Sequence, residues 1–284
     1  VADQTVSATT TDNDVAGFTI AQSGGSTSVA ESGTTDTFTV VLDAQPASNV
    51  VLTITSSDTG EATVTSSLTF TNANWNSAQT VTVTGVDDNI IDGTITSNIT
   101  IAVLDETSDN AFDALSNQTV SVTTTDNDVA GFTIAQSGGS TSVSESGTTD
   151  TFTIVLNAQP TSDVVLSISS SDTGEATVTS LLSFTTANWN SAQTVTVTGV
   201  DDNLVDGTKN STITITVVDV ISDDSFDSVA DQTVSAATTD NDVAGFTITQ
   251  SDGSTSVSES GSTDTFTVVL NAQPASNVVL SISS

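Results

Sequence analysis

The run Thr124-Thr125-Asp126-Asn127-Asp128-Val129-Ala130-Gly131-Phe132-Thr133-Ile134 recurs almost letter for letter around Asp12 and around Asp240, 114 residues away in each direction. A period above 100 residues is too long for a solenoid turn and suits one independent domain per repeat. The expected layout is therefore residues 1–14 as the closing strand of a preceding repeat, 15–128 and 129–242 as full repeats, and 243–284 as the first part of a third. Val1 to Thr11 matches Leu115 to Thr125, and Ser284 is equivalent to Ser56, so the segment reads as a window onto a longer polypeptide.

Inside a repeat the dominant signal is alternation with period two. In Thr37-Phe38-Thr39-Val40-Val41-Leu42 the residues Phe38, Val40 and Leu42 share one face, and Pro46 follows. Val50 to Ser56 places Leu52 and Ile54 inward, and Ala62 to Val64 and Ser67 to Phe70 read as short strands. Thr80 to Gly85 alternates cleanly, Ile99, Ile101 and Val103 share one face, and Gln118 to Thr124 closes the domain through Val120 and Val122. No helical period occurs. Seven or eight short strands separated by turn signals predict an all-β fold: tandem antiparallel β-sandwich domains, Ig-like in architecture, in a linear array.

Charge narrows the function. There is one Lys or Arg against 35 Asp and Glu, giving a formal net charge of −34, with no His, Cys, Met or Tyr. Nucleic acid and membrane insertion are excluded as partners, because binding phosphate surfaces needs cationic side chains and no run is long and apolar enough to span a bilayer. Zinc and copper sites lack their Cys and His ligands, whereas oxygen ligands suit Ca2+. The charged fraction is only 13% and the alternation is regular, which argues for folded domains rather than disorder.

The acids are not evenly spread. Glu31, Asp58, Asp87, Asp88, Asp92, Asp126 and Asp128 fall in loops or at strand ends, and if the strands alternate direction a set of these loops converges at one end of the sandwich. The plainer account of any single Asp is solubility. The doublet Asp87-Asp88 with Asp92-Gly93, and the run Asp126-Asn127-Asp128, ask for more. Two carboxylates about 4 Å apart repel by roughly 4 kcal/mol at an effective dielectric of about 20. A chain that gathers them and supplies no arginine points to a divalent cation.

At these residues the chain resembles the Calx-beta domain. The resemblance is carried by Ser28-Val29-Ala30-Glu31-Ser32-Gly33, by Ser57-Asp58-Thr59-Gly60-Glu61-Ala62, by Thr80 to Asp88 with Asp92, and by Thr125 to Gly131. The run Phe70 to Gly93, with its Ala-Asn-Trp-Asn-Ser-Ala-Gln core, is most similar to the version found in tandem arrays of large bacterial adhesins and surface proteins. The resemblance implies calcium at one end of each sandwich. Carried over by position, the ligands are Glu31, Asp58, Asp87, Asp88, Asp92, Asp126 and Asp128, and in the second copy Glu145, Asp172, Asp201, Asp202, Asp206, Asp240 and Asp242. Asn127 stands where the family often has an acid, and Asp92 where it usually has Glu.

The two copies test these choices internally. Every proposed ligand is identical between them, whereas Glu106 becomes Val220 and Asp43 becomes Asn157. Asp109 and Asp113, with Asp223 and Asp227, persist around Phe112 and Phe226 and offer a minor second site against the alternative of a solvated loop. Trp75 and Trp189, one per repeat, read as core plugs rather than sugar platforms. The sequons at Asn98, Asn117 and Asn210 are what chance gives in a chain this rich in Asn, Ser and Thr. Catalysis is not expected: no His or Cys can serve as base or nucleophile, and Lys209 has Ile95 as its counterpart.

The functional expectation is a structural, non-enzymatic, calcium-stiffened stalk segment of a secreted or cell-surface bacterial adhesin, whose partners are the neighbouring repeats of the same chain. The alternatives are a subunit of an extracellular filament or surface layer, in which copies associate with one another, and a glycan- or cell-binding module.

Overall fold

The computed structural model describes all 284 residues, which separate into two compact units, Val1–Asp128 and Val129–Ser284. In the first unit nine strands follow the alternation of the sequence: β1 (Phe18–Gln22), β2 (Thr27–Ala30), β3 (Thr35–Leu42), β4 (Val50–Ser56), β5 (Ala62–Val64), β6 (Ser67–Phe70), β7 (Gln79–Gly85), β8 (Ile95–Val103) and β9 (Gln118–Thr125). They form two sheets, ordered β1-β3-β7-β5 and β2-β9-β8-β4-β6. The inward faces are those the periodicity selects. Phe38, Val40, Leu52, Val81, Val83, Ile99, Ile101 and Val122 are fully buried, and Trp75 is half-buried against the same core. Burial of each large side chain contributes about 1.5 to 3 kcal/mol, and this apolar filling is what holds the two sheets face to face.

The strands do not simply alternate in direction. β2 pairs parallel with β9, Thr27 beside Val122 and Ala30 beside Thr125, while every other pairing in the sandwich is antiparallel. The cause is a change of sheet that does not reverse the direction of the chain. β1 belongs to the first sheet and β2 to the second, and the chain crosses between them at Ser23–Gly25, where Gly24 and Gly25 take φ of 65° and 85°, a region open to glycine. β5 and β6 make a second switch of the same kind.

Both switches leave the chain running the same way, so one end of the sandwich collects four segments: the turn after β2, the β4–β5 turn, the β7–β8 loop and the exit from β9. These carry the acids. Phe18 and Leu42, paired across β1 and β3, lie at the opposite end, so the chain enters the sandwich at one end and leaves it at the other.

The nine strands recur 114 residues later, from Phe132–Gln136 to Gln232–Thr239, with the same sheet orders and registers. The second unit also contains a hairpin, Phe246–Gln250 with Phe266–Leu270, and a short parallel pairing of Leu204–Val205 with Gln273–Pro274. Residues 1–17, expected to include a closing strand, carry no regular structure. Their equivalent β9 is held between β2 and β8 of its own repeat. No helix is long and apolar enough to cross a membrane.

Candidate metal centre

Glu31 anchors the acid-rich end. Its position follows from β2, whose last residue Ala30 is packed so tightly against Gly85 at the end of β7 that a Cβ on Gly85 would lie 2.1 Å from the Ala30 carbonyl oxygen. Only glycine permits that approach, and it brings the Glu31 turn against the loop that opens with Val86-Asp87-Asp88. The Glu31 side chain is 1% exposed. Its Oε2 accepts a hydrogen bond from the Asn127 N–H at 3.3 Å, and its Oε1 is buried without a partner.

Around it stand two overlapping clusters. Glu31, Asp88 and Asp128 bring carboxylate oxygens within 4.8 Å of one another, and so do Glu31, Glu61 and Asp92. Glu61 Oε2, Asp92 Oδ1 and Asp128 Oδ2 are, like Glu31 Oε1, buried and unpartnered. The loops are shaped by the remaining oxygens. Asp126 Oδ2 accepts from the Asp92 and Gly93 N–H groups at 3.1 and 2.9 Å, and its Oδ1 from Asp128 N–H at 2.6 Å. Asp88 Oδ1 accepts from Ile90 N–H at 2.7 Å. Asp87 is exposed and holds the Asn127 side-chain amide through its Oδ1 at 3.1 Å.

Of the ligands expected in the first repeat, the clusters contain Glu31, Asp88, Asp92 and Asp128. Asp126 acts as the knot that ties the β7–β8 loop to the exit strand. Asp58 is exposed, and its Oδ1 caps its own turn by accepting from Gly60 N–H at 3.0 Å. The turn instead presents Glu61, 6% exposed, whose carbonyl is fixed by Val86 N–H at 2.9 Å. The signals in the sequence for Glu61, which the expected ligand set omits, are its place beside the buried Ala62 and its retention as Glu175 in the second copy.

The second repeat keeps the arrangement with one change: Asp240, the equivalent of Asp126, stands in a cluster where Asp88 stands in the first copy. Its clusters are Glu145, Asp240 and Asp242, and Glu145, Glu175 and Asp206. Glu145 Oε2 accepts from Asn241 N–H at 3.2 Å, and Asp240 ties Asp206, Gly207 and Asp242 as Asp126 does in the first copy. Asp202 caps Leu204, Asp201 holds Asn241, and Asp172 caps its own turn at Gly174. Leu204 and Val205 lie between Asp202 and Asp206, and Gln273 N–H donates to the Asn203 carbonyl at 2.6 Å, so the acidic loop itself touches the hairpin segment that follows it.

The electrostatics are those of an unneutralised cluster. Burial, followed by the charges of Asp126, Asp88 and Glu61, pushes Glu31 up to about 7 against the pull of the Asn127 hydrogen bond. Burial and neighbouring carboxylates also raise Glu61, Asp92 and Asp128, and in the second copy Glu145, Glu175 and Asp242. Hydrogen bonds from Gly207 and Asp242 hold Asp240 low despite burial, helped by Asp206 N–H and the Lys209 charge. Several orphaned carboxylate oxygens facing one another, with no sulfur or nitrogen ligand, fit a hard cation of the calcium type, which takes six to eight oxygens. The donors would be Glu31, Glu61, Asp88, Asp92 and Asp128 in one repeat, and Glu145, Glu175, Asp206, Asp240 and Asp242 in the other.

The other acid-rich loop is organised differently. Asp109 Oδ2 accepts from Ala47 and Ser48 N–H at 2.6 and 2.8 Å, and Oδ1 from Ala111 N–H at 3.0 Å. Both oxygens are committed to the backbone, so the loop around Phe112 is closed by Asp109 rather than opened to an ion, although Asp113 Oδ1 is left unpaired.

Fold and site together define a tandem β-sandwich protein with an acid cluster at one end of each sandwich. No family model and no curated protein matches the chain. Among solved structures it is similar to the calcium binding domain CBD12 of CALX1.1, at 13% identity over 69% of this chain and 79% of that one, with a TM-score of 0.29. It is also similar to domains 4 and 5 of the S-layer protein SbsC, at 16% identity over 80% and 99%, TM-score 0.31, and to domains 1–6 of the surface layer protein SbsC, at 16% over 91% and 36%, TM-score 0.33.

Proposed function

We propose that the protein is a structural, non-enzymatic segment of a secreted or cell-surface assembly, whose sandwiches are locked by calcium at their acid-rich ends. The observation that carries this reading is the group of four orphaned oxygens, on Glu31, Glu61, Asp92 and Asp128, buried together with no cationic side chain nearby. Leaving such atoms unsatisfied in the fold is costly, and a bound cation removes the cost. Calcium would join the turn after β2, the β4–β5 turn and the β7–β8 loop to the run Asp126–Asp128, from which the chain passes directly into Val129. Ordering that run restrains the covalent link to the next repeat. The contact of Leu204–Val205 with Gln273–Pro274 supports the same idea, since the loop bearing Asp202 and Asp206 also grips the following segment.

An affinity of roughly 0.1 to 1 mM, in the range of extracellular modules, is expected. The test is small-angle scattering of the segment in millimolar calcium and in chelator. An extended, stiff particle should become flexible when calcium is removed, and an identical profile in both would defeat the reading.

A further inference from the structure

The two acid clusters are tied by equivalent hydrogen bonds and share the equivalent pairs Glu31/Glu145, Glu61/Glu175, Asp92/Asp206 and Asp128/Asp242, with Asp88 completing the first and Asp240 the second, but only one has a cation beside it. Position 95 is Ile, and the equivalent position 209 is Lys, the single Lys or Arg of the chain. Each is the first residue of the strand that follows the acidic loop. Lys209 Nζ lies 3.2 Å from Asp206 Oδ2, with the Lys side chain 43% exposed and that of Asp206 10% exposed. The other oxygen, Asp206 Oδ1, is buried, unpartnered and gathered with Glu145 and Glu175, and Glu145 is itself 1% exposed. One carboxylate therefore faces the cluster with one oxygen and an ammonium with the other. Asp92 has the same orphaned Oδ1, and beside it stands an uncharged Ile.

We propose that Lys209 is a resident counter-ion of the second cluster, which lowers its affinity for divalent cations below that of the first and partly substitutes for calcium when calcium is scarce. The inference rests on the reading that the clusters bind calcium. The ammonium draws charge density from one ligand carboxylate and repels an incoming divalent ion, yet as a flexible point charge it satisfies only the outer edge of the cluster. Its partial exposure moderates the effect. The second site is expected to bind roughly two- to fivefold more weakly than the first, the scale of a solvent-screened pair.

The experiment is calorimetric titration of calcium into the whole 284-residue segment, as wild type and with each repeat given the other's residue, Lys209→Ile and Ile95→Lys. Wild type should show two affinity classes. Lys209→Ile should merge them at the tighter value and Ile95→Lys at the weaker one. Lys209→Met, which keeps the length without the charge, should reproduce Lys209→Ile and guards against a change in strand propensity. A second readout is melting: the uncharged variants should lower the transition of the second unit in chelator and raise it in calcium, a reversal of sign that altered packing alone does not produce. A single affinity class in wild type, or unshifted binding in both uncharged variants, overturns the proposal. Absence of any calcium heat in all variants would instead overturn the calcium reading beneath it.

Discussion

Asp223 and Glu145 lie in the same sandwich, 4% and 1% exposed, yet burial has opposite consequences for them. Asp223 Oδ2 accepts from the Thr161 hydroxyl at 2.7 Å and from the Ser162 N–H and hydroxyl at 2.6 and 3.2 Å, and its Oδ1 from the Ser225 N–H and hydroxyl at 3.0 and 2.6 Å. Burial pushes its pKa up, but these donors hold it well below the usual carboxylate range. Glu145 receives one N–H, from Asn241, and is raised by burial and by Asp240, Asp202 and Asp206. A carboxylate surrounded by donors is a structural clamp. One left among other carboxylates is destabilised by their charge.

The largest effect that sharpens this contrast is calcium itself. Binding only to the folded form adds roughly 2.7 kcal/mol per ion at a hundredfold excess over the dissociation constant, so melting should climb with calcium. Sodium chloride at matched ionic strength screens but does not bridge, and should recover only part of the gain. Full recovery by sodium chloride would reduce the acid end to a solvating surface.

Next come the two carboxylates compared above. Asp223→Ala strands the Ser162 and Ser225 donors and should cost on the order of 3 kcal/mol. Chemical denaturation should show that loss equally in calcium and in chelator, with calcium affinity unchanged. Glu145→Gln should do the reverse, stabilising the repeat in chelator and weakening calcium binding. Equal behaviour of the two variants would erase the distinction.

Proton linkage gives the two ends opposite signs. Glu31 shifts from an ordinary 4.5 to about 7, so the folded state holds its proton more tightly than the unfolded one. In chelator this group's contribution to stability is greatest below pH 4.5 and is lost as pH rises toward about 7. Calcium competes with that proton, so affinity should increase over the same interval. Asp223, being depressed, contributes stability above its ordinary 3.8 that is lost as pH falls further. Denaturation and calcium titrations across pH 3 to 8, on wild type and Glu31→Gln, separate the two; a flat profile in chelator between pH 5 and 7 would refute the Glu31 assignment.

The smallest effect discriminates within one turn. Glu61→Gln should weaken calcium binding several-fold, and Asp58→Ala, which removes only the 3.0 Å bond to Gly60, should cost about 1 kcal/mol of stability or less with affinity little changed. Calorimetry that ranked them the other way would restore the choice made from the sequence.

What the sequence determined by itself is what depends on neighbouring residues. Phe38, Val40 and Leu42 face inward because side chains alternate along a strand, and the 114-residue recurrence announces the repeat without any coordinates. It also placed most of the acids in loops, Asp36 in β3 being an exception, since the apolar faces leave them no interior place along the strands. Which acid turns inward was decided in three dimensions. Asp58 and Glu61 are three residues apart in one turn, and only the packing of that turn against Val86 and the β9 exit buries the second and leaves the first in solvent. The parallel pairing of β2 with β9 joins residues 95 positions apart and is set by the glycine crossing at Gly24–Gly25, which local alternation does not encode. The same holds for Asp109 and Asp113 against Asp88 and Asp92. Their local sequences look equally acidic, and their roles differ because backbone N–H groups from Ala47 and Ser48 reach Asp109, while Asp92 Oδ1, like Glu61 Oε2 and Asp128 Oδ2, is buried without a donor.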